Sequence, residues 1–157
     1  MLIPSARCWL ALGVLLLLGA CVPASQPFRM VQGCLSDADG IELFAAEMRA
    51  IARDEKLKVF DTSEAVSSAS EAFSDQRKYR THGSRSVNMT LNRNDRALVT
   101  ASNLGMLGFE VYLGFSEGDD PEFAHAFAER VLQRLARHWQ FDDVPNGMGA
   151  KSKGGCP

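Results

Sequence analysis

The sequence has little of what several common classes of protein need. Only four cysteines and three histidines occur in 157 residues, and no two cysteines form a C-x-x-C pair, which argues against a thiol oxidoreductase. His125 and His138 fall about 140° apart around one predicted helix, so they cannot share a metal ion. Neither a metal nor another cofactor is therefore expected.

An excess of charge of one sign is also missing. The chain has 17 basic and 19 acidic side chains, for a net charge of −2, whereas a nucleic-acid-binding protein normally has a strong basic excess. Nucleic acid is therefore not expected as a partner. No G-x-S-x-G elbow surrounds the serines of residues 63–70. We do not expect an enzyme, although a hydrolase assembled from distant residues stays open.

Long apolar runs are absent as well, and this decides how the N-terminus is interpreted. A short positive start containing Arg7 precedes an apolar run of ten residues from Trp9 to Leu18, and small residues follow. Ten apolar residues are too few to cross a hydrocarbon core about 30 Å thick. Residues 1–20 are therefore predicted to be a secretory signal peptide.

The stretch Leu18-Gly19-Ala20-Cys21 resembles the lipobox of bacterial lipoproteins. In that family the cysteine thiol is acylated and signal peptidase II then cuts in front of it, so the resemblance implies that Cys21 carries lipid such as palmitate. Val22 replaces the aspartate that tends to retain such proteins in the inner membrane, which implies the periplasmic face of the outer membrane. The resemblance covers residues 1–22 only. An ordinary signal peptide, with Cys21 an incidental thiol, stays open.

One domain is expected after the signal, because about 137 residues suffice for one core and not for two. Residues 21–27 form the lipidated cysteine and a polar tether, and residues 28–144 form the domain. Residues 145–157 form a Gly/Lys-rich tail with no apolar periodicity. With Cys8 removed and Cys21 lipidated, Cys34 and Cys156 remain, and an oxidising periplasm favours a disulfide between them. Two free thiols are the alternative.

Two amphipathic helices are predicted. The first follows Asp37 or Asp39 as its N-cap and places apolar residues from Ile41 to Ala52 on one face. The fragment Asp37-Ala38-Asp39-Gly40 resembles part of an EF-hand loop, but Ala46 stands where the last carboxylate should be, so capping is the expected role. The second helix begins at Asp120-Pro121. Residues 62–75 between them are either a weaker helix or a loop.

Three runs of period two indicate an antiparallel meander over residues 87–115. Short strands are also predicted at Phe28–Val31 and Lys58–Phe60. Together these elements predict an α+β fold: a two-layer sandwich in which two long helices pack on one face of a three- or four-stranded meander sheet.

Two surfaces are candidates for partner binding. The first is a cationic and aromatic cluster within residues 76–85, whose Arg side chains suit carboxylates or phosphates. Its members are Arg77, Lys78, Tyr79, Arg80, His82 and Arg85. The second is the polar side of the meander, which contains Asn88, Thr90, Asn92, Thr100, Ser102, Glu110 and Tyr112. The alternatives are an ordinary solvated loop and a plain solvent-facing sheet.

The predicted function is that of a lipid-anchored periplasmic lipoprotein acting as a non-catalytic binding module. The first hypothesis is that the protein is an accessory of envelope assembly or transport and binds a protein partner or lipopolysaccharide. This hypothesis rests on a similarity of architecture to several small lipoproteins in which helices pack on a sheet. The second is an immunity or inhibitor lipoprotein that neutralises a toxin or a lysozyme-like enzyme in the periplasm.

Overall fold

The structure, a computed structural model, describes residues 26–73, 86–103 and 109–145. These residues form one antiparallel sheet of six strands and three helices. The strand order is β2-β3-β4-β5-β1-β6. The strands are β1 (Arg29–Cys34), β2 (Lys58–Asp61), β3 (Asn88–Arg93), β4 (Arg96–Ser102), β5 (Glu110–Phe115) and β6 (Phe141–Asp143), and the helices are α1 (Ala38–Asp54), α2 (Ser63–Phe73) and α3 (Pro121–Leu135).

Helix α1 begins where the sequence predicts. Asp37 is the N-cap, and its Oδ1 atom accepts a hydrogen bond of 2.8 Å from the backbone N–H of Gly40. This bond satisfies one of the amides that lack a partner in the first helical turn. The buried residues recur at helical spacing and are Ile41, Phe44, Ala45, Met48, Ile51 and Ala52.

Helix α3 also begins at its predicted cap, where the Asp120 carboxylate accepts a bond of 3.0 Å from the N–H of Phe123. Its buried residues are Ala124, Phe127, Ala128, Val131 and Leu135. Two arginines off this stripe reach α1 and its C-terminal cap. Arg130 pairs with Glu55 at 2.7 Å, and Arg134 pairs with Glu47 at 2.8 Å. The two long helices are thus joined by ion pairs along their solvent side.

The sheet contains the predicted meander, since β3, β4 and β5 are consecutive neighbours. The prediction of three or four strands is wrong, because β2 extends the meander on one side while β1 and β6 extend it on the other. β6 has only three residues, Phe141–Asp143, too few to show an alternating pattern. Within residues 62–75, where a weak helix and a loop were both open, Ser63–Phe73 form the helix α2.

A β-bulge at Leu98 changes one predicted orientation. The pairing passes from Leu91 opposite Val99 to Asn92 opposite Ala97, so Leu98 has no partner across β3. Strict alternation with Thr100 and Ser102 would place Leu98 on the polar side of β4. It is instead 3% exposed and belongs to the core cluster. An extra residue in one strand shifts the alternation locally, which the sequence pattern does not reveal.

The two faces of the sheet differ in chemistry. The side that we call the inner face shares one buried cluster with α1 and α3; it presents Val31, Met89, Leu91, Val99, Ala101, Val111, Leu113 and Phe115. The register places polar residues on the opposite side, which we call the outer face. Within the described residues, no helix is long and apolar enough to cross a membrane.

Candidate protein-binding site

Among the residues that the structure describes, strand β2 lies at one edge of the sheet and pairs on one side only, with β3. The N–H of Thr62 donates to the carbonyl of Asn88 at 2.9 Å. Antiparallel strands alternate between residues whose backbone groups face the partner strand and residues whose groups face away. Phe60 therefore directs its backbone groups toward β3, whereas Val59 and Asp61 direct theirs away from the sheet. The edge thus offers two N–H and two C=O groups to an added strand.

The same strand has two neighbouring apolar side chains at the surface. Val59 is 38% exposed and Phe60 is 53% exposed. Leu43, on α1, is the other large apolar side chain exposed in the described part of the chain. Val59 lies opposite Leu91 and so belongs to the inner face, and Phe60 lies opposite Thr90 on the outer face. A strand added at this edge would therefore find an apolar neighbour on both faces.

Charged side chains hold both ends of β2. Lys58 pairs with Asp95 at 2.7 Å and Asp61 pairs with Arg49 at 2.6 Å. Burial raises the pKa of the Asp61 carboxyl, but hydrogen bonds from Ser63 and Arg49 outweigh that effect and hold the pKa below its usual value. Asp61 is therefore ionised at neutral pH. Charges at the ends of an edge strand restrict indiscriminate pairing and leave the centre of β2 as the accessible part.

The serines of α2 tie this helix to the start of β3. The Ser63 hydroxyl accepts a bond of 2.9 Å from the N–H of Asn88, and the Ser67 hydroxyl accepts one of 3.0 Å from the N–H of Ser86. Ser67 also donates to the carbonyl of Ser63 at 2.9 Å. Both hydroxyls thus anchor α2 to the start of β3.

A G-x-S-x-G stretch occurs at residues 114–118, where β5 ends. In hydrolases with this motif the serine lies on a strained turn that leads straight into a helix. Here Ser116 is not among the residues with positive φ, and α3 begins only at Pro121. The N–H of Ser116 donates to the carbonyl of Leu98 at 2.9 Å. The stretch therefore lacks the backbone geometry of a nucleophile elbow.

The predicted polar face is confirmed as one surface by the strand register, but part of it is buried. Glu110 is 1% exposed and Tyr112 is 5% exposed, which corrects the alternative of a plain solvent-facing sheet. Gln32 donates a short hydrogen bond to the Glu110 carboxylate from the neighbouring strand β1. Burial, with a further contribution from the charge of Glu110, raises the pKa of Tyr112 to about 12.

The first predicted surface, Arg77 to Arg85, lies outside the described residues, as do the signal peptide, Cys21, Cys156 and the tail from residue 146. Cys34 ends β1, and its pairing with Cys156 stays a prediction. The described residues contain no group of three or more His, Cys, Asp or Glu side chains placed to hold a metal ion. The sequence predicted β2 as a strand, but periodicity alone does not tell an edge strand from an interior one.

No protein-family model, curated protein or solved structure matches this chain. Its function is therefore inferred from the lipobox resemblance and the geometry of the sheet.

Proposed function

We propose that the protein is a lipid-anchored lipoprotein on the periplasmic face of the outer membrane, and that it binds a protein by adding an extended segment of that partner to β2. The observation that supports this proposal is an edge strand with outward backbone groups and two exposed apolar side chains, Val59 and Phe60. The architecture is interpreted as a two-layer α+β sandwich, enlarged to six strands.

Strand addition suits a site of this kind. The hydrogen bonds to Val59 and Asp61 would supply affinity that does not depend on the partner's sequence, at about 0.5–1.5 kcal/mol each. Specificity would come from side chains that pack beside Val59 and Phe60. Full burial of a Phe side chain contributes about 1.5–3 kcal/mol, so Phe60 is expected to supply a large part of the binding energy.

The proposal predicts that Val59→Pro and Phe60→Glu each weaken partner capture about tenfold or more, the equivalent of about 1.4 kcal/mol. Proline at position 59 removes an N–H that faces away from the sheet, so the pairing with β3 is kept and only an added strand is blocked. Capture is measured with the tagged full-length chain, solubilised from envelopes in detergent.

Leu43→Glu is the matched control, because Leu43 is 42% exposed and so resembles Val59 and Phe60 in exposure. It lies one turn before Glu47, which pairs with Arg134, and so on the side of α1 that faces α3. Photo-crosslinking provides the positional test: Phe60→benzoylphenylalanine should trap the captured protein and Leu43→benzoylphenylalanine should not. Equal trapping at both positions, or undiminished capture by Val59→Pro, would reject the edge as the binding site.

The Arg-rich stretch remains a second candidate surface of the same function. A triple variant with Arg77→Glu, Lys78→Glu and Arg80→Glu distinguishes the two surfaces. Loss of capture in this variant, together with normal capture by Phe60→Glu, would move the site from β2 to residues 77–80. The identity of the captured protein then distinguishes the two proposed roles. A component of envelope assembly or transport would indicate an accessory protein, and a toxin or lysozyme-like enzyme would indicate an immunity protein.

Lipid anchoring predicts a separate result. Cys21→Ser removes the thiol that would be acylated, so the chain should move from the outer-membrane fraction to a soluble or uncleaved form. Several buried acyl chains, at about 0.8 kcal/mol per methylene, account for the size of this effect. Fractionation and intact mass are the measurements, with Cys34→Ser as control. Unchanged fractionation and mass in Cys21→Ser would contradict the lipobox.

A further inference from the structure

A cleft of about 500 Å³ opens between the C-terminal part of α3 and strands β1 and β6. It lies on the inner-face side of the sheet, because Val31 belongs to the inner face and Phe141 pairs with Gly33, two residues further along β1. All of the residues that line the cleft belong to the described part of the chain. Its volume lies within the range of small-molecule sites, about 300–1,000 Å³.

Four apolar side chains contribute to the lining of this cleft. They are Val31, Leu132, Trp139 and Phe141, which we call the apolar lining. Phe141 packs directly on the backbone of β1, since a Cβ atom at Gly33 would lie 2.8 Å from two carbons of its ring. Trp139 is 8% exposed, and its ring meets that of Phe44 edge-on with 5.7 Å between the centroids. The apolar lining is therefore already in place in the folded chain.

The charged residues that line the cleft are not equally available to a ligand. Arg29 donates to Asp143 and to Glu129, at 2.7 Å in each case, so this guanidinium and both carboxylates are already paired. Arg137 is exposed, and it makes no ion pair within the described residues. Arg137 thus places an available positive charge beside the apolar lining.

This combination matches a ligand that has an apolar body and a single negative charge. A guanidinium binds a carboxylate through two parallel N–H···O bonds. A phosphate with two negative charges suits the cleft less well, because Arg29 is already paired and Glu129 would repel it. A peptide carboxyl terminus also suits it less well, because its amide loses hydrogen bonds to water on burial and the apolar lining returns few of them.

We propose that the cleft binds the carboxylate end of an acyl chain, with Arg137 paired to the carboxylate and the chain packed on Leu132, Trp139 and Phe141. β6 and β2 stand at opposite ends of the strand order. The acyl-chain site is therefore separate from the edge proposed for strand addition, and it does not depend on that function.

The test uses octanoate as the probe and Trp139 as the reporter. The chain contains two tryptophans, Trp9 and Trp139, so Trp9→Phe leaves Trp139 as the single one. Octanoate is titrated into this full chain in detergent solution, and the emission of Trp139 is recorded. We expect a saturable change, because the bound chain replaces water at the exposed part of the indole ring. 1-Octanol lacks the charge and acetate lacks the chain, so each should bind about tenfold more weakly or worse.

Three variants locate the binding site. Arg137→Gln should weaken octanoate binding about tenfold or more, and Arg137→Lys should restore part of the affinity. Ala136→Phe places a ring in the cleft, which Ala136 also lines, and should abolish binding. The thermal unfolding midpoint of each variant shows that it is folded.

Arg53→Gln is the matched control. Arg53 is also exposed near the C-terminal end of a helix and makes no ion pair within the described residues, so its replacement should leave octanoate binding unchanged. Octanoate that enters detergent micelles lowers the apparent affinity of every variant equally, so the comparison between Arg137→Gln and Arg53→Gln is unaffected.

Two results would overturn the proposal directly. They are the absence of a saturable change in Trp139 emission and equal binding of octanoate by Arg137→Gln and Arg53→Gln. N-acetylleucine has the same charge with an amide beside the carboxylate, and it should bind several-fold more weakly than octanoate. Tighter binding of N-acetylleucine would reject the acyl chain and assign the cleft to a peptide carboxyl terminus.

Discussion

Gly40→Ala is expected to destabilise the domain by about 3 kcal/mol or more, although alanine normally stabilises a helix by about 1 kcal/mol relative to glycine. A Cβ atom at position 40 would lie 1.8 Å from the carbonyl oxygen of Leu35 and 2.9 Å from its carbon. Both are backbone atoms, so the contact is relieved only if the Leu35–Asp37 turn moves. That movement would also disturb the cap from Asp37 to Gly40.

Urea unfolding followed by tryptophan fluorescence measures this effect. Gly114→Ala is the control, because among the described residues a Cβ there meets only the side chain of Pro27, at 3.6 Å or more. It should change the free energy of unfolding by less than about 1 kcal/mol. A Gly40→Ala chain as stable as the unaltered one would show that the turn before α1 is not packed as described. The close contact with Leu35 also explains the glycine of the Asp-x-Asp-Gly fragment, because a larger residue at position 40 would not fit.

Phe44→Ala should cost about 3–5 kcal/mol of folding free energy, the usual range for removing a buried Phe side chain. Phe44 is fully buried in the core, and its ring meets Trp139 edge-on with 5.7 Å between the centroids. The contact joins α1 to the segment that leads from α3 into β6. Its loss leaves a cavity at the point where these elements meet.

The neighbouring Leu43→Ala provides a strict comparison, because the two positions share one helix and differ in burial. Leu43 is 42% exposed, and its truncation should change the stability by no more than about 0.5 kcal/mol. Chemical denaturation of both variants measures the free energy of unfolding that each substitution removes. Similar losses at positions 43 and 44 would mean that the buried face of α1 is assigned to the wrong residues.

The elements that the sequence predicted correctly are those whose signals are local. Asp37 and Asp120 precede apolar residues at helical spacing, and both are N-caps in the structure. The meander was likewise predicted from alternation and short turns. The extension of the sheet by β1 and β6 was not, because the pairing of Arg29 with Phe115 joins residues far apart in the chain. A pattern of period two gives the faces of a strand but not its neighbours.

The same limit applies to the candidate site. Lys58–Phe60 was predicted as a strand, but its importance comes from its place at the end of the sheet order. Glu110 and Tyr112 were predicted on a polar surface, and the register confirms the surface. Their burial depends on what covers them, and that information is not local. Alternation also failed at Leu98, where one inserted residue reverses the orientation.

The position of β1 has a mechanical consequence. β1 lies between β5 and β6, and Arg29 at its start bonds to Asp143 and to Glu129, both at 2.7 Å. A lipid on Cys21 would be joined to Arg29 through the seven residues 22–28, so tension from the membrane would enter the domain along the length of β1. Hydrogen bonds perpendicular to that pull share the load in shear and must break together. With a partner held at the β2 edge, force would pass through the five strands from β1 to β2.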